Sequence, residues 1–278
     1  MSVITISRDI KSGGREIANC LAEKLNYTCL INRDVIAECA RKYNIVEENL
    51  LNRLEEAPNI WQRLTREHHR YLIYVQSAIL EAVKRDNVVY HGLAGQLFLS
   101  GIQHVFKLKI VAPFESRIDL AMQEMNIDRE EAIKFLNNAD DKRNRWFRII
   151  YGEDRHRLSL YDLSVNRQNV SNETLCNIVA LAVNSEDFKT NEHSMAKLKN
   201  LSTACEVKAA FATDDRLWDQ DIKVSASGSV VTLMGIVKNE KIRDELIDIA
   251  TKVKGVTKCE TRLSLRSSGI SDTALWND

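Results

Sequence analysis

Short apolar runs alternate with stretches of helical period along most of this chain. Val3, Ile4 and Ile6 form a run of strand length, Gly13 and Gly14 interrupt it, and from Arg15 onward Ile17, Leu21 and Leu25 recur on one helical face. Residues 27–31 (YTCLI) read as a second strand, and Asn32-Arg33-Asp34 open a helix carrying Val35, Ile36 and Ala40. Residues 47–85 are helical by pattern. Leu64, Tyr71, Val75, Ile79 and Val83 recur among charged neighbours, and Pro58 breaks the run between two helices. Residues 87–92 read as a buried strand ending in a glycine turn. Residues 105–112 form another, closed by Pro113, and a helix follows through Met125. Asp128, with Glu131 three residues later, is the N-cap of the next helix. Residues 161–166 make the last strand of this region, and a helix through Val183 closes it. Strands regularly separated by helices call for a parallel sheet with helices packed on it.

The pattern then changes. Residues 185–196 are polar and aperiodic, which predicts a linker. Residues 201–212 are helical. Ile222, Val224 and Ala226 alternate, as do Val231, Leu233 and Gly235, and Gly228-Ser229 between them is a hairpin turn. A helix over 240–253 stops at Gly255, and 256–265 is a third strand. The expected fold class is therefore α/β: a P-loop parallel sheet with flanking helices over residues 1–190, a linker at 191–200, a small α-β-β-α-β domain over 201–267, and a mobile tail at 268–278 with Trp276 as its anchor.

Composition narrows the function classes. The chain has 278 residues, enough for one sizeable domain and a small one. Lys+Arg and Asp+Glu each total 39, so there is no basic excess to favour nucleic acid or an anionic membrane. No apolar run is long enough to span a bilayer, and charges at Arg8, Asp9, Lys11 and Arg15 interrupt any leader-like segment. A cytoplasmic location is expected. The six cysteines form no CxxC pair or zinc spacing, and reduced, buried thiols are expected. His68 and His69 are adjacent on a helix, about 100° apart, which suits a polar face better than one metal ion. No metal site is expected.

Two stretches carry candidate chemistry. Strand, tight polar loop and helix over residues 4–18 is the layout of a phosphate-binding loop, in which backbone N–H groups and a helix N-terminus face an anion. The Walker pattern GxxxxGK(S/T) is not matched: Lys11 stands where a glycine is usual, Gly14 near the expected lysine, and Glu16 near the Mg²⁺-binding hydroxyl. A β-turn-α corner with no ligand reads equally well from these residues alone. In DDKRNRWFRIIYG, residues 140–152, Lys142, Arg143, Arg145 and Arg148 crowd into two helical turns. Such a run is usually a solvated face.

The motifs change that balance. ISRDIKSGGREIA followed by LAEKL resembles the start of the cytidylate-kinase-like family, whose usual form is ISRxYGSGGREIAxxLAxxL. YDLSVN at residues 161–166 resembles the family's YDLxxN strand, and IVAPFESRI, with Arg117, its fourth strand and following helix. The resemblance implies a nucleotide phosphotransferase. Arg15 would take the place of the Walker lysine, Lys11, Ser12, Gly13, Gly14, Arg15 and Glu16 would form the ATP-binding loop, and Arg143, Arg145 and Arg148 would act with Arg15 as lid arginines on the transferring phosphate. Departures are Lys11, Asn32 in the family's tyrosine–aspartate–arginine turn, Leu93 where the family has an acceptor-side arginine, and Arg167 after the strand-end Asn166. Mg²⁺ would accompany ATP without a recognisable protein ligand.

Residues 201–267 resemble a BON domain, with Gly235 and Gly255 matching that family's glycines. The resemblance implies phospholipid or partner binding, and balanced charge in the segment favours a protein partner. A homo-oligomer is expected. Three readings stand: an ATP-dependent phosphotransferase acting on a nucleotide, a non-catalytic nucleotide sensor working through the BON module, and a scaffold with a dead loop.

Overall fold

The computed structural model describes residues 2–50, 66–92, 94–218 and 220–266. Pro58, Leu64, Leu93 and the tail at 268–278, Trp276 included, lie outside the described residues. The chain divides into two compact units, Met1–Leu198 and Lys199–Asp278.

The first unit is built on a five-stranded parallel sheet. Its strands are β1 (Val3–Arg8), β2 (Thr28–Ile31), β3 (Val88–His91), β4 (Val105–Val111) and β5 (Leu163–Asn166), in the order β2-β3-β1-β4-β5. The register sets Ile6 beside His91, His91 beside Ile31, and Arg8 beside Ile110. These pairs bring the C-terminal ends of β1, β2 and β3 to one edge, where open α/β sheets bind ligands. β1 is central and its first four residues are fully buried, which is why it reads as an apolar run rather than an alternation.

Helix α1 (Gly14–Leu25) follows β1, α2 (Asn32–Tyr43) follows β2, and α3 (Arg66–Val83) and α4 (Gly95–Phe98) flank β3. Helices α5 (Phe114–Met125) and α6 (Arg129–Tyr151) follow β4, and α7 (Asn172–Val183) follows β5. Asp128 caps α6, accepting from the Glu131 amide at 2.9 Å as the spacing predicts. Ile17 and Leu21 of α1 and Leu175 and Val179 of α7 pack with Ile4, Ile6, Leu108 and Ile110 of the sheet. Burying each such side chain contributes about 1.5–3 kcal/mol.

That packing corrects one expectation. Cys20 on α1 and Cys176 on α7 form a disulfide, with Cα atoms 6.6 Å apart, whereas the sequence reads as reduced thiols. They are 156 residues apart, so only the docking of α7 on α1 reveals the pair. Cys29, Cys39 and Cys259 form no disulfide among the described residues.

The stretch read as a linker is also different. Helix α8 (Glu192–Phe211) runs through most of it. Asn191 and Ser194 cap its start reciprocally: the Ser194 amide donates to Asn191 Oδ1 at 2.8 Å and the Asn191 amide to Ser194 Oγ at 3.1 Å. Its polar residues are caps and an exposed face, which sequence periodicity alone does not separate from a loop.

The second unit holds a three-stranded sheet in the order β6-β7-β8, from β6 (Asp221–Ser227), β7 (Val230–Val237) and β8 (Lys258–Leu265). β6 and β7 are antiparallel, β7 and β8 parallel. Helices α9 (Asp215–Trp218) and α10 (Glu240–Lys252) complete it. Val224, Val231, Leu233 and Val237 of the sheet bury against Ile242, Leu246 and Ala250 of α10. Gly235 has φ 142°, and a Cβ there would fall on the Asp221 carbonyl, so the close approach of β6 requires glycine.

Candidate functional site

The loop after β1 begins with the charges of Arg8 and Asp9. Asp9 is buried and pairs with Arg155, which lies just past α6, and with Lys109 of β4 at 3.4 Å. Arg117 of α5 donates through Nε to the Ile10 carbonyl at 2.8 Å and through Nη2 to Asp140 of α6 at 2.7 Å. Asp140 also lies 3.8 Å from Arg155. This ionic core ties the loop to α5 and to the chain on both sides of the α6 C-terminus.

Lys11 takes φ 57°, which explains why glycine is usual at its position in the sequence pattern. Its ammonium pairs with Glu124 of α5. Ser12 is buried and donates its hydroxyl to the Asp9 carbonyl at 2.9 Å, holding the turn closed. Gly13, at φ 74°, caps α1. A Cβ on Gly13 would fall on the guanidinium of Arg167, which donates to the Ser12 carbonyl at 3.2 Å and pairs with Asn172. A Cβ on Gly14 would fall on the side chain of Arg8. The two glycines therefore make room for two arginines laid against the loop.

A cavity of about 590 Å³ opens at the C-terminal ends of β1, β2 and β3, beneath α6. Arg8, Arg15, Arg33, Lys142, Arg143 and Arg155 line it, and among the described residues no Asp or Glu does. Ile10, Ile31, Phe135, Trp146 and Phe147 supply an apolar wall. The cations perturb one another. Arg143, which donates to the Arg8 carbonyl at 3.2 Å, is pushed down to about 9, first by burial and then by Arg8 and Arg155. Arg8 is lowered chiefly by burial. His91, at the end of β3, is pushed down to about 3 by burial and by Arg8, Arg143 and Arg15. Lys109 is lowered to about 8 by burial and then by Arg155, against the attraction of Asp9. Like charges gathered in a partly dry cavity are an arrangement that an anion relieves.

Arg15 and Arg143 thus meet in one cavity, together with Lys142. Arg145 and Arg148 are exposed and do not line it, because successive helical residues turn about 100° and α6 presents them elsewhere. Glu16 is exposed in the first turn of α1. Lys11, Ser12, Gly13 and Gly14 form the loop but do not line the cavity. Arg8, Arg33, His91 and Arg155 are cavity residues that spacing does not single out. Arg8 sits in the ISR triplet, a visible signal, whereas Arg155 arrives from an irregular turn. Among the described residues no group of three or more His, Cys, Asp or Glu side chains could hold a metal ion.

The sequence pattern of the cytidylate kinase-like family matches residues 3–169, spanning the loop, the sheet and α6. The chain belongs to that family. A BON domain matches residues 202–267, the second unit's sheet and helices. Among relatives of this cytidylate kinase-like chain, the cytidylate kinase of Thermoplasma acidophilum is 28% identical over 167 residues, which is 59% of this chain and 83% of the relative. Osmotically-inducible protein Y of Escherichia coli is 32% identical over 81 residues, 28% of this chain and 40% of that protein. The crystal structure of an uncharacterized protein from Eubacterium ventriosum superposes with a TM-score of 0.53 at 17% identity, covering 66% of this chain and 99% of that one, a likeness of fold. Among the described residues no helix is long and apolar enough to cross a membrane.

Proposed function

We propose that the first region, residues 1–190, is an ATP-dependent phosphotransferase whose acceptor bears a phosphate, as nucleoside monophosphates do. The observation that carries this reading is the cavity at the ligand-binding edge of the sheet, lined among the described residues by six cations and no carboxylate. A phosphoryl group in transfer spreads negative charge over its oxygens, and fixed cations in a dry site stabilise it with little reorganisation. Arg15, at the N-terminus of α1, would hold the ATP phosphates, and Arg143 and Lys142 would reach across from α6 to the acceptor side. Arg8 and Arg155 would fix the acceptor's phosphate in place of the arginine that Leu93 replaces. Gly13 and Gly14 leave room on the loop's face that Arg167 and Arg8 fill in this structure, and a phosphate seated there would take the place of those side chains. Glu16 offers no hydroxyl for Mg²⁺, so the ion would arrive on the nucleotide, and no step is assigned to it.

The arms of Arg167 and Lys11 support a second reading. With Arg167 on Gly13 and Lys11 paired to Glu124, the loop is closed on itself, as suits a nucleotide sensor that signals through the BON domain at 201–267 to a protein partner. Calorimetric titration with ATP, with and without Mg²⁺, followed by an assay of ADP formation with each nucleoside monophosphate, separates the two. ADP formed in step with a phosphorylated acceptor supports the enzyme. ATP binding that Arg15→Ala abolishes, with no turnover on any acceptor, supports the sensor. No ATP binding at all overturns both.

A further inference from the structure

The cavity is crowded with donors and nearly without acceptors. Guanidinium and ammonium groups donate and accept nothing. A phosphate, all acceptor when fully ionised, is satisfied by such walls. A ligand hydroxyl or amine needs an acceptor to replace water.

Among the described lining side chains, Ser7, Asn32 and His91 can accept. Ser7 Oγ is 3.3 Å from the Tyr161 hydroxyl, and Asn32 Oδ1 accepts from Tyr90 at 3.4 Å. His91 differs from both. It is 5% exposed, and its Nε2 is buried with no hydrogen-bond partner among the described residues. Its backbone is locked between Ile6 of β1 and Ile31 of β2, so the ring is carried by the rigid middle of the sheet rather than by a loop. Burial and three neighbouring arginines keep the ring neutral at ordinary pH, and a neutral imidazole always has one nitrogen that accepts. With the ring proton on Nδ1, the unpaired Nε2 of His91 is a buried acceptor, and such an acceptor inside a ligand cavity discriminates strongly, because a ligand that lacks the matching donor leaves it unpaired.

We propose that His91 accepts a hydrogen bond from a hydroxyl or amine of a phosphate-bearing ligand, and so selects a nucleoside monophosphate over anions that bring acceptors alone. The inference rests on the anion-binding reading of the cavity and adds to it the group that reads the rest of the ligand.

The test is calorimetric titration of the full chain with cytidine monophosphate and with pyrophosphate, in the wild type and in His91→Phe and His91→Gln. Expected is a loss of about tenfold in cytidine monophosphate affinity for His91→Phe, with pyrophosphate unchanged within about twofold. His91→Gln, which keeps an acceptor, restores most of the nucleotide affinity. If the phenyl ring does not fit, His91→Met makes the same comparison. In the wild type, the imidazole ¹⁵N resonance of His91 moves on addition of cytidine monophosphate and not of pyrophosphate. Equal loss of both ligands, or of neither, overturns the proposal. Pyrophosphate binding without nucleotide binding in the wild type overturns it while leaving the anion cavity standing. Failure of both ligands to bind the wild type removes the proposed function as well.

Discussion

Replacing Arg143 with methionine is expected to stabilise the free protein and weaken its hold on anions. Burial and the neighbouring arginines push Arg143 about three and a half pH units below the ordinary guanidinium value, to about 9, in the folded chain. At about 1.4 kcal/mol per pH unit, its charge is disfavoured there by an upper bound of about 5 kcal/mol. The attraction of Asp140 and Asp9 is already included in that shift. Partial exposure of the side chain roughly halves the figure. Losing the bond to the Arg8 carbonyl returns about 1 kcal/mol. Methionine keeps the apolar stem, so packing changes little. The net expectation is about 1–2 kcal/mol of added stability, or roughly 2–8 °C in Tm for a unit of this size. Calorimetry in a buffer free of phosphate and sulfate measures it, and titration with ATP or pyrophosphate measures the other half. The wild type should gain Tm with pyrophosphate and the variant should gain much less. A fall in Tm together with unchanged anion affinity would refute the reasoning, because Arg143 would then be a structural cation rather than one held for a ligand.

Three further perturbations follow from the same charges. Lys109 has a folded pKa near 8, below its unfolded 10.5, so its burial penalty is full below pH 8 and disappears above about pH 10.5. Lys109→Met should therefore be about 1–3 kcal/mol more stable than wild type at pH 7 in urea titrations, with the difference shrinking as pH rises from 8 to 10; Arg155 remains to pair Asp9. His91, lowered from 6.5 to about 3, follows the same sign in a lower window. The unfolded chain takes up the proton first, so stability is whole above pH 6.5 and drains as pH falls, by about 2 kcal/mol at pH 5, and His91→Gln should remove that slope. Lys11→Gly relieves a positive φ worth about 1 kcal/mol but loses the Glu124 pair and loosens the unfolded chain, so stability should stay within about 1 kcal/mol. Loss of more than about 2 kcal/mol would show that the ion pair, not the turn, governs Lys11.

Strand and helix order was readable because both periods are strong: Val3, Ile4 and Ile6 on one side of the loop, Ile17, Leu21 and Leu25 on the other. What failed was the reading of polar sequence. The end of the aperiodic stretch 185–196 looked irregular because the caps and exposed face of α8 are polar, and only the Asn191–Ser194 pairing reveals the start of a helix. Of the arginines named from motif and spacing, Arg15 and Arg143 line the cavity, whereas Arg145 and Arg148, rotated to another face of α6, do not. Arg8, His91 and Arg155 share a cavity only because parallel pairing aligns three strand ends and Asp9 draws in the turn after α6. Lys11 could be seen to depart from the motif, yet its partner Glu124 lies 113 residues away.

The guanidinium of Arg167 lies on Gly13, at the face of the loop that a phosphate would approach. A ligand entering there would have to displace that arginine, so Arg167 would compete for the site that the proposed function gives the loop. Apparent affinity is the intrinsic affinity multiplied by the fraction of molecules with the arginine lifted away; if that fraction were about one in a hundred, binding would be about a hundredfold weaker than the loop itself allows. Anything that draws Arg167 away from Ser12 would then tune nucleotide response without touching a nucleotide contact, and α7, whose first residue Asn172 already holds that guanidinium, is the element placed to do it.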